Sequence, residues 1–431
     1  MTRFLPKSTI LLIILSHSFF LLSAQKLTAE EKKIVELINK QLPQNLQLLQ
    51  NMVNINSGTL NTAGVKMVGE LLGKQFQNIG FTTEWVTLPD SLKRAGHLVA
   101  YKKGTKGKKL FLIGHLDTVF EPDMPSNPYR KISDSTATGQ GANDMKGGNV
   151  IIFAALQALN QLGLLKNASI TAYFTGDEEN AGKPSSVSRA DFINRAKQAD
   201  IALGFEGAQG LHTVATGRRG SSGWQLKVFG RQAHSAGIFN NNYGSIYEAA
   251  RIINGFREQL VGEKYLTFNP GIFAGGSDVT NDSAKYVVQG KTNIISPYTF
   301  VNGDLRFLTE KQKETARQKM KTIATTNNLP GTKAEITFSD GIPGMEPTEG
   351  NNKLVEVLNK VSMDMGIGET KAGDPGGRGA GDISYVAQYV DCIDGLGASG
   401  SGAHAPGETI NLKQFPILIQ RAAIYIYRLS R

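Results

Sequence analysis

Three consecutive acidic residues end an apolar run in the middle of this 431-residue chain. The stretch "ASITAYFTGDEE" (168–179) begins like a buried strand and ends with Asp177, Glu178 and Glu179. Adjacent like charges at the end of a core strand destabilise a fold unless an opposite charge lies beside them. The sequence therefore predicts a positively charged partner at this turn.

Further imidazoles and carboxylates follow other predicted strands or lie in glycine-rich loops. They are His115 and Asp117 in "GHLDTV", Asp144 in "GANDMKGG", Glu206 in "FEG" and His404 in "GAHAPGE". Side chains two residues apart in an extended segment point to the same side, so Asp117 can hold the second nitrogen of a cation-binding His115 ring. Because ligands of open α/β sheets bind beyond the carboxyl ends of the strands, we expect these groups to converge.

Two imidazoles, at least three carboxylates and no thiolate suit one or two divalent cations, with Zn²⁺ preferred. Two such ions about 3.5–4 Å apart would offset the acidic run and lower the pKa of water to near neutrality. One of Glu178 and Glu179 should coordinate metal, and the other should act as a general base. The alternative, a solvated acidic turn with unrelated core histidines, is disfavoured because all five motifs occupy such positions.

Apolar strand-like runs alternate with helical segments, which predicts an α/β fold with a mostly parallel sheet flanked by helices. Helices are expected over 27–53, interrupted at Pro43, and over 62–80 and 145–163. From residue 220 to residue 340 the pattern becomes β-α-β-β-α-β, which is typical of an α+β ferredoxin-like unit, with two strands expected inside "TNIISPYTFVNGDLRFLT". We therefore predict a discontinuous catalytic domain (25–219 and 341–431) that carries an inserted domain (220–340).

The first 24 residues are predicted to be a signal peptide. Arg3 and Lys7 precede an apolar stretch over 10–22, and Ser23 and Ala24 offer small residues for cleavage. We expect export to the periplasm or the medium, with no stable membrane insertion after cleavage; an uncleaved anchor is the alternative. Cys392 is the only cysteine, so no internal disulfide can form.

Composition limits the class of partner. The formal net charge is +10, yet the lysines and arginines are spread along the chain instead of forming a polybasic arm. A nucleic-acid partner is therefore not expected, and the charge favours anionic substrates. A hydrophobic content of 40% and a charged content of 19% are ordinary for a globular enzyme.

Together with "NSGTLN" (56–61) and "GRQAHSAG" (230–237), the acidic and histidine motifs resemble one enzyme family. It is the di-zinc metallopeptidase family of glutamate carboxypeptidase, acetylornithine deacetylase and succinyl-diaminopimelate desuccinylase. The resemblance covers nearly the whole mature chain and is strongest to the glutamate carboxypeptidase-like branch. It implies a zinc-exopeptidase-like catalytic domain with an inserted lid and dimerisation domain.

The resemblance also implies two metal ions and a ligand set. It assigns the metal-bridging carboxylate to Asp144, one metal to His115 and Glu206, and the other to Glu179 and His404.

It further implies that Glu178 is the general base and that Asp117 orients the first histidine. The peptide bond after Asp144 is expected to be cis.

Three residues of the inserted domain resemble substrate-binding groups of the family. His234 is expected to reach the active site of a second subunit and stabilise an oxyanion, which predicts a homodimer. Asn293 and Arg306 are expected to hold a substrate carboxylate, because a guanidinium matches carboxylate geometry. The alternatives are a buried hydrogen-bonded ring for His234, a turn cap for Asn293 and a structural ion pair for Arg306.

Two departures from the family pattern concern the substrate pocket. In "GRGAGDISY" (377–385), Gly381 stands where the family usually has threonine, and "FSDGIPGMEP" (338–347) lacks an arginine that the most similar carboxypeptidases carry. These departures leave a preference for glutamate open.

We therefore predict an exported, zinc-dependent exopeptidase of the carboxypeptidase type that acts on peptides beside a free α-carboxylate. Hydrolysis of an N-acyl amino acid or a dipeptide is the alternative activity. An aminopeptidase is less favoured, because it would need an anionic partner for the substrate amine in place of Arg306. A non-catalytic peptide-binding homologue is disfavoured, since every expected ligand position is filled.

Overall fold

The computed structural model of the protein describes residues 27–281 and 285–431. The predicted signal peptide lies outside these residues, so it stays a prediction. None of the helices in the described ranges is both long and apolar enough to cross a bilayer.

The helices and strands follow each other in a largely alternating order. The helices are α1 (Ala29–Val53), α2 (Thr62–Asn78), α3 (Lys146–Gln161), α4 (Ser185–Ser188), α5 (Ala190–Ala196), α6 (Gly244–Leu260), α7 (Glu310–Thr325), α8 (Glu349–Asp364) and α9 (Gln414–Leu429). The strands are β1 (Thr82–Val86), β2 (His97–Lys102), β3 (Lys106–His115), β4 (Arg130–Lys131), β5 (Thr136–Thr138), β6 (Ala168–Thr175), β7 (Ile201–Gly204), β8 (Thr213–Val214), β9 (Gly220–Gly230), β10 (Thr267–Gly276), β11 (Asp278–Asn281), β12 (Tyr286–Gln289), β13 (Tyr298–Phe307), β14 (Thr332–Asp340), β15 (Lys371–Ala372), β16 (Asp391–Ile393), β17 (Gly400–Ser401) and β18 (Thr409–Asn411).

The central sheet has six strands in the order β1-β2-β6-β3-β7-β16. The pairs β6–β3, β3–β7 and β7–β16 are parallel, whereas β1 and β2 add an antiparallel edge. The α/β fold with a mostly parallel sheet is therefore confirmed. Because β6, β3 and β7 are parallel neighbours, their carboxyl ends lie side by side at one edge of the sheet.

Both faces of this sheet are buried, as the continuous apolar runs predict. Along β3, Leu110 and Leu112 belong to the core that α1, α3 and α9 cover, while Phe111 and Ile113 belong to a second core with Phe192 of α5. Alternate side chains of β3 therefore pack into the cores on the two faces of the sheet. This packing fixes the position of His115, the last residue of the strand.

Helix α1 runs continuously through Pro43, so the predicted interruption is wrong. A proline inside a helix costs about 3 kcal/mol through a lost hydrogen bond and a steric clash. The helix keeps its path because its apolar face, including Ile38, Leu49 and Met52, is fully buried in the main core. Its first turn is also held by a capping box between Thr28 and Glu31.

Residues 220–340 hold a second sheet with the order β10-β13-β9-β14, all antiparallel. The order corresponds to a ferredoxin-like β-α-β-β-α-β unit in which α6 and α7 pack on one face and a β11–β12 hairpin is added. The prediction of two strands within "TNIISPYTFVNGDLRFLT" is wrong, because that segment supplies only β13. The remaining strand of the unit is β10, which the sequence does not indicate because it contains Pro270 and Gly271. These residues lie at a register shift on a sheet edge, where proline is tolerated.

Candidate metal centre

Four of the predicted ligand segments meet at the carboxyl edge of the central sheet. His115 is the last residue of β3, Glu178 and Glu179 follow β6, and Glu206 follows β7. Asp144 comes from the loop that opens α3. Adjacent parallel strands therefore bring together residues that are up to 91 positions apart in the chain.

His404 completes the cluster from the loop between β17 and β18. The two carboxylate oxygens of Asp144 face different imidazoles: Oδ1 lies 3.2 Å from Nε2 of His115, and Oδ2 lies 3.2 Å from Nε2 of His404. Glu206 Oε1 is 3.5 Å from the His115 nitrogen, and Glu179 Oε2 is 3.2 Å from the His404 nitrogen. One carboxylate thus lies between two similar half-sites, each made of an imidazole and a further carboxylate.

This arrangement fits two divalent cations. Three groups of side chains have potential ligand atoms within 4.8 Å of one another, namely His115 with Asp144 and Glu206, Asp144 with Glu179 and His404, and His115 with Glu178 and Glu179. Glu179 Oε1 is buried and accepts no hydrogen bond from the residues that the structure describes. Nitrogen and oxygen donors in this number suit zinc or a similar ion, and a cation would satisfy the bare oxygen.

The pKa values show how strongly the cluster attracts positive charge. Hydrogen bonds to Asp144 and then Glu179 raise the pKa of His404 to about 11. Burial raises the pKa of Glu206 to about 7, and the charge of Asp144 adds to the effect. Protons therefore occupy the site when cations do not, and cation binding must displace them from the imidazoles.

Glu178 is a half-buried acid that follows β6 and directly precedes Glu179. Burial raises its pKa well above the ordinary value, and the nearby charge of Glu206 raises it further. Unlike Glu179, it does not hydrogen bond to an imidazole among the described contacts. A carboxylate with a raised pKa and no fixed partner is suited to taking up and releasing a proton.

The Asp117 carboxylate binds the backbone of the acidic turn that carries Glu178 and Glu179. Its buried carboxylate accepts the backbone N–H of Glu178 through Oδ1 and that of Glu179 through Oδ2, each at 3.0 Å, and the hydroxyl of Thr59 at 2.6 Å. Its Oδ1 is 3.4 Å from Nδ1 of His115, but the backbone carbonyl of Asp117 is the closer acceptor at 2.9 Å. The predicted contact with the ring exists, and the hold on the two glutamates is an addition that the sequence did not reveal.

Glu408 belongs to the site although the sequence does not single it out. This fully buried carboxylate accepts three backbone N–H groups of the loop that carries the bridging acid: Oε1 from Asn143 at 2.6 Å and from Asp144 at 2.9 Å, and Oε2 from Gly141 at 3.2 Å. The Asp144–Met145 peptide in this loop is cis, as expected. Glu408 lies four residues after His404, so one segment both supplies a ligand and holds another in place. The "GAHAPGE" motif contained this residue, but nothing in its spacing predicted the contact.

The positive partner of Asp177 is not a metal ion, so the explanation of the acidic run by metal charge is wrong for this residue. Arg189 Nη1 lies 2.5 Å from Asp177 Oδ1, and Arg189 Nε lies 2.7 Å from Asp382 Oδ1. All three side chains are buried. A single buried guanidinium thus forms ion pairs with two carboxylates behind the cluster. No sequence pattern separates Arg189 from the exposed arginines around it.

The inserted unit holds the three predicted substrate-binding residues. Arg306 is partly exposed on β13 and donates to Asp304 at 2.7 Å. His234 is exposed and its Nδ1 accepts the N–H of Ala236, while the carbonyl of Asn293 accepts the N–H of Ser235. His234 and Asn293 are therefore neighbours, and the described contacts of all three residues stay within the inserted unit. Their substrate roles stay predictions.

Gly381 leaves room for a buried arginine. A Cβ at this position would lie 2.6 Å from Nη1 of Arg218. That guanidinium is bonded to the carboxylate of Asp394 and to the carbonyls of Gly379 and Ala380 at 2.6 and 3.0 Å. The departure from threonine is therefore explained by a cation that fills the space of the missing side chain.

Comparison with known proteins agrees with this architecture. The model of "Peptidase family M20/M25/M40" matches residues 111–428, which is most of the chain. The chain belongs to this family, and it is a hydrolase that acts on amide bonds.

Individual relatives match most of the chain. Carboxypeptidase G2 of a Pseudomonas species is 28% identical over 395 residues, covering 90% of each chain. A succinyl-diaminopimelate desuccinylase of Polynucleobacter necessarius is 25% identical over 378 residues, covering 85% of this chain and 94% of the relative. Among solved structures, the aminopeptidase PepT of Bacillus cereus superimposes with a TM-score of 0.72 at 18% identity, covering 90% of this chain and 98% of that one. The last comparison supports the fold alone.

Proposed function

We propose that this protein is a metal-dependent exopeptidase of the carboxypeptidase type, which hydrolyses an amide bond beside a residue with a free α-carboxylate. The observation that carries the proposal is the position of Asp144, with one oxygen 3.2 Å from His115 and the other 3.2 Å from His404. A carboxylate shared by two imidazole sites suits a two-metal centre. Similarity to carboxypeptidase G2 along 90% of the chain supports the carboxypeptidase assignment.

The ligands would be Asp144 as the bridge, with His115 and Glu206 on one side and Glu179 and His404 on the other. Two divalent cations, with Zn²⁺ preferred, supply positive charge that polarises the scissile carbonyl and acidifies the attacking water.

Glu178 would accept a proton from the attacking water and return it to the leaving nitrogen as the amide bond breaks. Asp117 keeps Glu178 in place through the backbone. Its carboxylate also binds the N–H of Glu179, so the base and the neighbouring ligand share one support.

The inserted unit would bind the substrate. Arg306 and Asn293 would hold the α-carboxylate, and His234 of a second copy of the chain would stabilise the oxyanion. The His234 ring is exposed, and within the described part of the chain its hydrogen bond is a local one to Ala236, which supports a role in trans. The functional form would then be an exported homodimer.

Hydrolysis of N-acyl amino acids or dipeptides is a second candidate activity. It is favoured by the similarity to a succinyl-diaminopimelate desuccinylase, which covers 94% of that enzyme. Both candidates use the same centre and differ only in the acyl group that they accept.

Activity on blocked and unblocked dipeptides and N-acyl amino acids, measured with the zinc-loaded enzyme, tests the proposal. Glu178→Ala should keep its metal content and lose about 100- to 10,000-fold in kcat. Glu258→Ala, which removes an exposed glutamate of α6, is the control and should retain activity. Full activity in metal-loaded Glu178→Ala would refute the assigned base, and activity only on substrates without an α-carboxylate would refute the substrate class.

A further inference from the structure

Two arginines on the Glu206 side of the centre have different partners. Arg218 is buried and bonded to the Asp394 carboxylate, so its charge is compensated. Arg378 is half-buried, and its described side-chain hydrogen bond is from Nη1 to the carbonyl of Gly207 at 2.8 Å. In the ranges that the structure describes, no carboxylate pairs with Arg378. One of the two guanidinium groups therefore keeps free donors.

The hydrogen bond to Gly207 places the Arg378 guanidinium beside the segment that carries Glu206. Gly207 directly follows Glu206, whose carboxylate is 3.5 Å from His115. A Cβ on Gly207 would lie 3.2 Å from the side-chain nitrogen of Asn143, the residue before the bridging acid. Arg378 thus contacts the backbone where two ligand segments approach each other.

The carboxylates of Glu206 and Asp394 have other partners and do not compensate the charge of Arg378. Glu206 faces His115, and Asp394 is bonded to Arg218. A guanidinium has five N–H donors in a planar fork that matches a carboxylate. Since a partly desolvated cation is stabilised by an anion, a carboxylate from outside the chain is the chemically matched partner.

We propose that Arg378 binds a second carboxylate of the substrate, apart from the α-carboxylate assigned to Arg306 and Asn293. This inference rests on the proposed function and narrows the substrate class to amides that carry two anionic groups. The second carboxylate has two possible sources: the far end of a dicarboxylic acyl group, or the side chain of an acidic amino acid.

Matched substrate pairs separate the two sources. N-Succinyl-alanine and N-butyryl-alanine differ mainly in the terminal carboxylate of the acyl group, and N-acetyl-glutamate and N-acetyl-glutamine differ in the side chain. For at least one pair, kcat/KM of the wild-type enzyme should favour the charged member by about 10- to 100-fold, as expected for a charged hydrogen-bonded pair. Arg378→Gln should abolish that preference by lowering kcat/KM for the charged member far more than for the neutral member.

Two further variants distinguish binding from structural support. Arg378→Lys should restore part of the preference, because it keeps the charge without the fork. Arg195→Gln, which removes a partly exposed arginine of α5 that pairs with Asp191 and Glu84, should leave the preference unchanged. An equal loss on both members of each pair in Arg378→Gln would mean that the residue only supports the site, and would overturn the proposal.

Binding gives a readout that does not need turnover. In metal-loaded Glu178→Ala, calorimetry should show tighter binding of the charged member, and adding Arg378→Gln should remove the difference. If the wild-type enzyme cleaves none of the four compounds, the proposed function fails on this panel, while the binding data still decide the role of Arg378. If binding of charged and neutral members does not depend on Arg378, the inference is wrong even if all four compounds are cleaved.

Discussion

Arg189 Nη1 lies 2.5 Å from Oδ1 of Asp177, and neither side chain has appreciable contact with solvent. The same guanidinium reaches Asp382 through Nε, and Asp382 also accepts the hydroxyl of Thr175 at the end of β6. The first residue of the acidic turn is therefore held in a buried network of ion pairs that needs no metal.

Arg189→Met should destabilise the protein by about 3–5 kcal/mol, because it leaves two buried carboxylates without their cation. Urea unfolding followed by tryptophan fluorescence and circular dichroism would measure the change. Arg195→Met is the matched control, since Arg195 forms more exposed ion pairs with Asp191 and Glu84 and should cost at most about 1 kcal/mol. Equal losses in the two variants would contradict the role of Arg189.

His97 predicts a dependence of stability on pH. Its buried ring donates from Nε2 to the carbonyl of Ser188 and accepts the N–H of Gly176 at Nδ1, a pattern that requires the neutral ring. Burial and the charge of Arg189 lower its pKa. The unfolded chain then binds a proton near pH 6.5 while the folded chain does not, so acidification below that pH favours unfolding.

The wild-type free energy of unfolding should therefore fall relative to that of His97→Gln by up to about 1.4 kcal/mol per pH unit below pH 6.5. Above that pH the difference between the two should be constant. His212→Gln, which alters an exposed histidine, should follow the wild-type curve. Parallel curves for wild type and His97→Gln at pH 5–6.5 would rule out this linkage.

Glu408→Gln should weaken metal binding by about 10- to 100-fold, the usual effect of losing a residue that orients a ligand. The substitution replaces one of the two carboxylate oxygens by an NH2 group, which donates hydrogen bonds. That group cannot accept the backbone N–H groups of the loop that carries Asp144. Competition with a chelating dye would measure the dissociation constants. Glu369→Gln, at an exposed glutamate, is the control and should have the metal affinity of the wild type. An unchanged affinity in Glu408→Gln would show that the loop before Asp144 keeps its conformation without Glu408.

Gly381→Ala should cost about 1–3 kcal/mol through steric conflict with Arg218. The backbone there is extended, with φ −168°, so the cost arises from contact alone and not from backbone strain. Gly379→Ala is the control, because a Cβ at that position has no neighbouring atom within 4 Å. Thermal unfolding of both variants would test this difference, and similar midpoints would contradict it.

Mixing inactive His234→Ala protomers with inactive Glu178→Ala protomers should restore part of the activity if the histidine acts in trans. In a mixed dimer, one site would retain both the base and the histidine from the other chain. Mass spectrometry would confirm that mixed dimers form. Verified mixed dimers without activity would count against action in trans.

The convergence of the candidate ligands could be predicted from the sequence, because each follows a strand or opens a helix and strand order then brings these positions together; their role as metal ligands stays a prediction. The sequence could not identify Glu408 or Arg189, since a buried carboxylate that binds backbone N–H groups looks like any other glutamate, and a buried arginine looks like an exposed one. These contacts arise from tertiary packing between segments as far apart as Gly141 and Glu408.

The secondary structure shows the same limit. The sequence does not predict strand β10, because its proline and glycine are typical of turns, yet an edge strand tolerates both. Helix α1 was predicted to be interrupted at Pro43, where local propensity opposes the helix and burial of its apolar face outweighs that preference.

The two imidazoles of the centre differ in their access to water: the His115 side chain is 2% exposed and that of His404 is 58% exposed. Ions held on the two sides should therefore exchange at unequal speeds. Dilute chelator should strip the outer position first and leave a species with a single ion, so that demetallation proceeds in two phases.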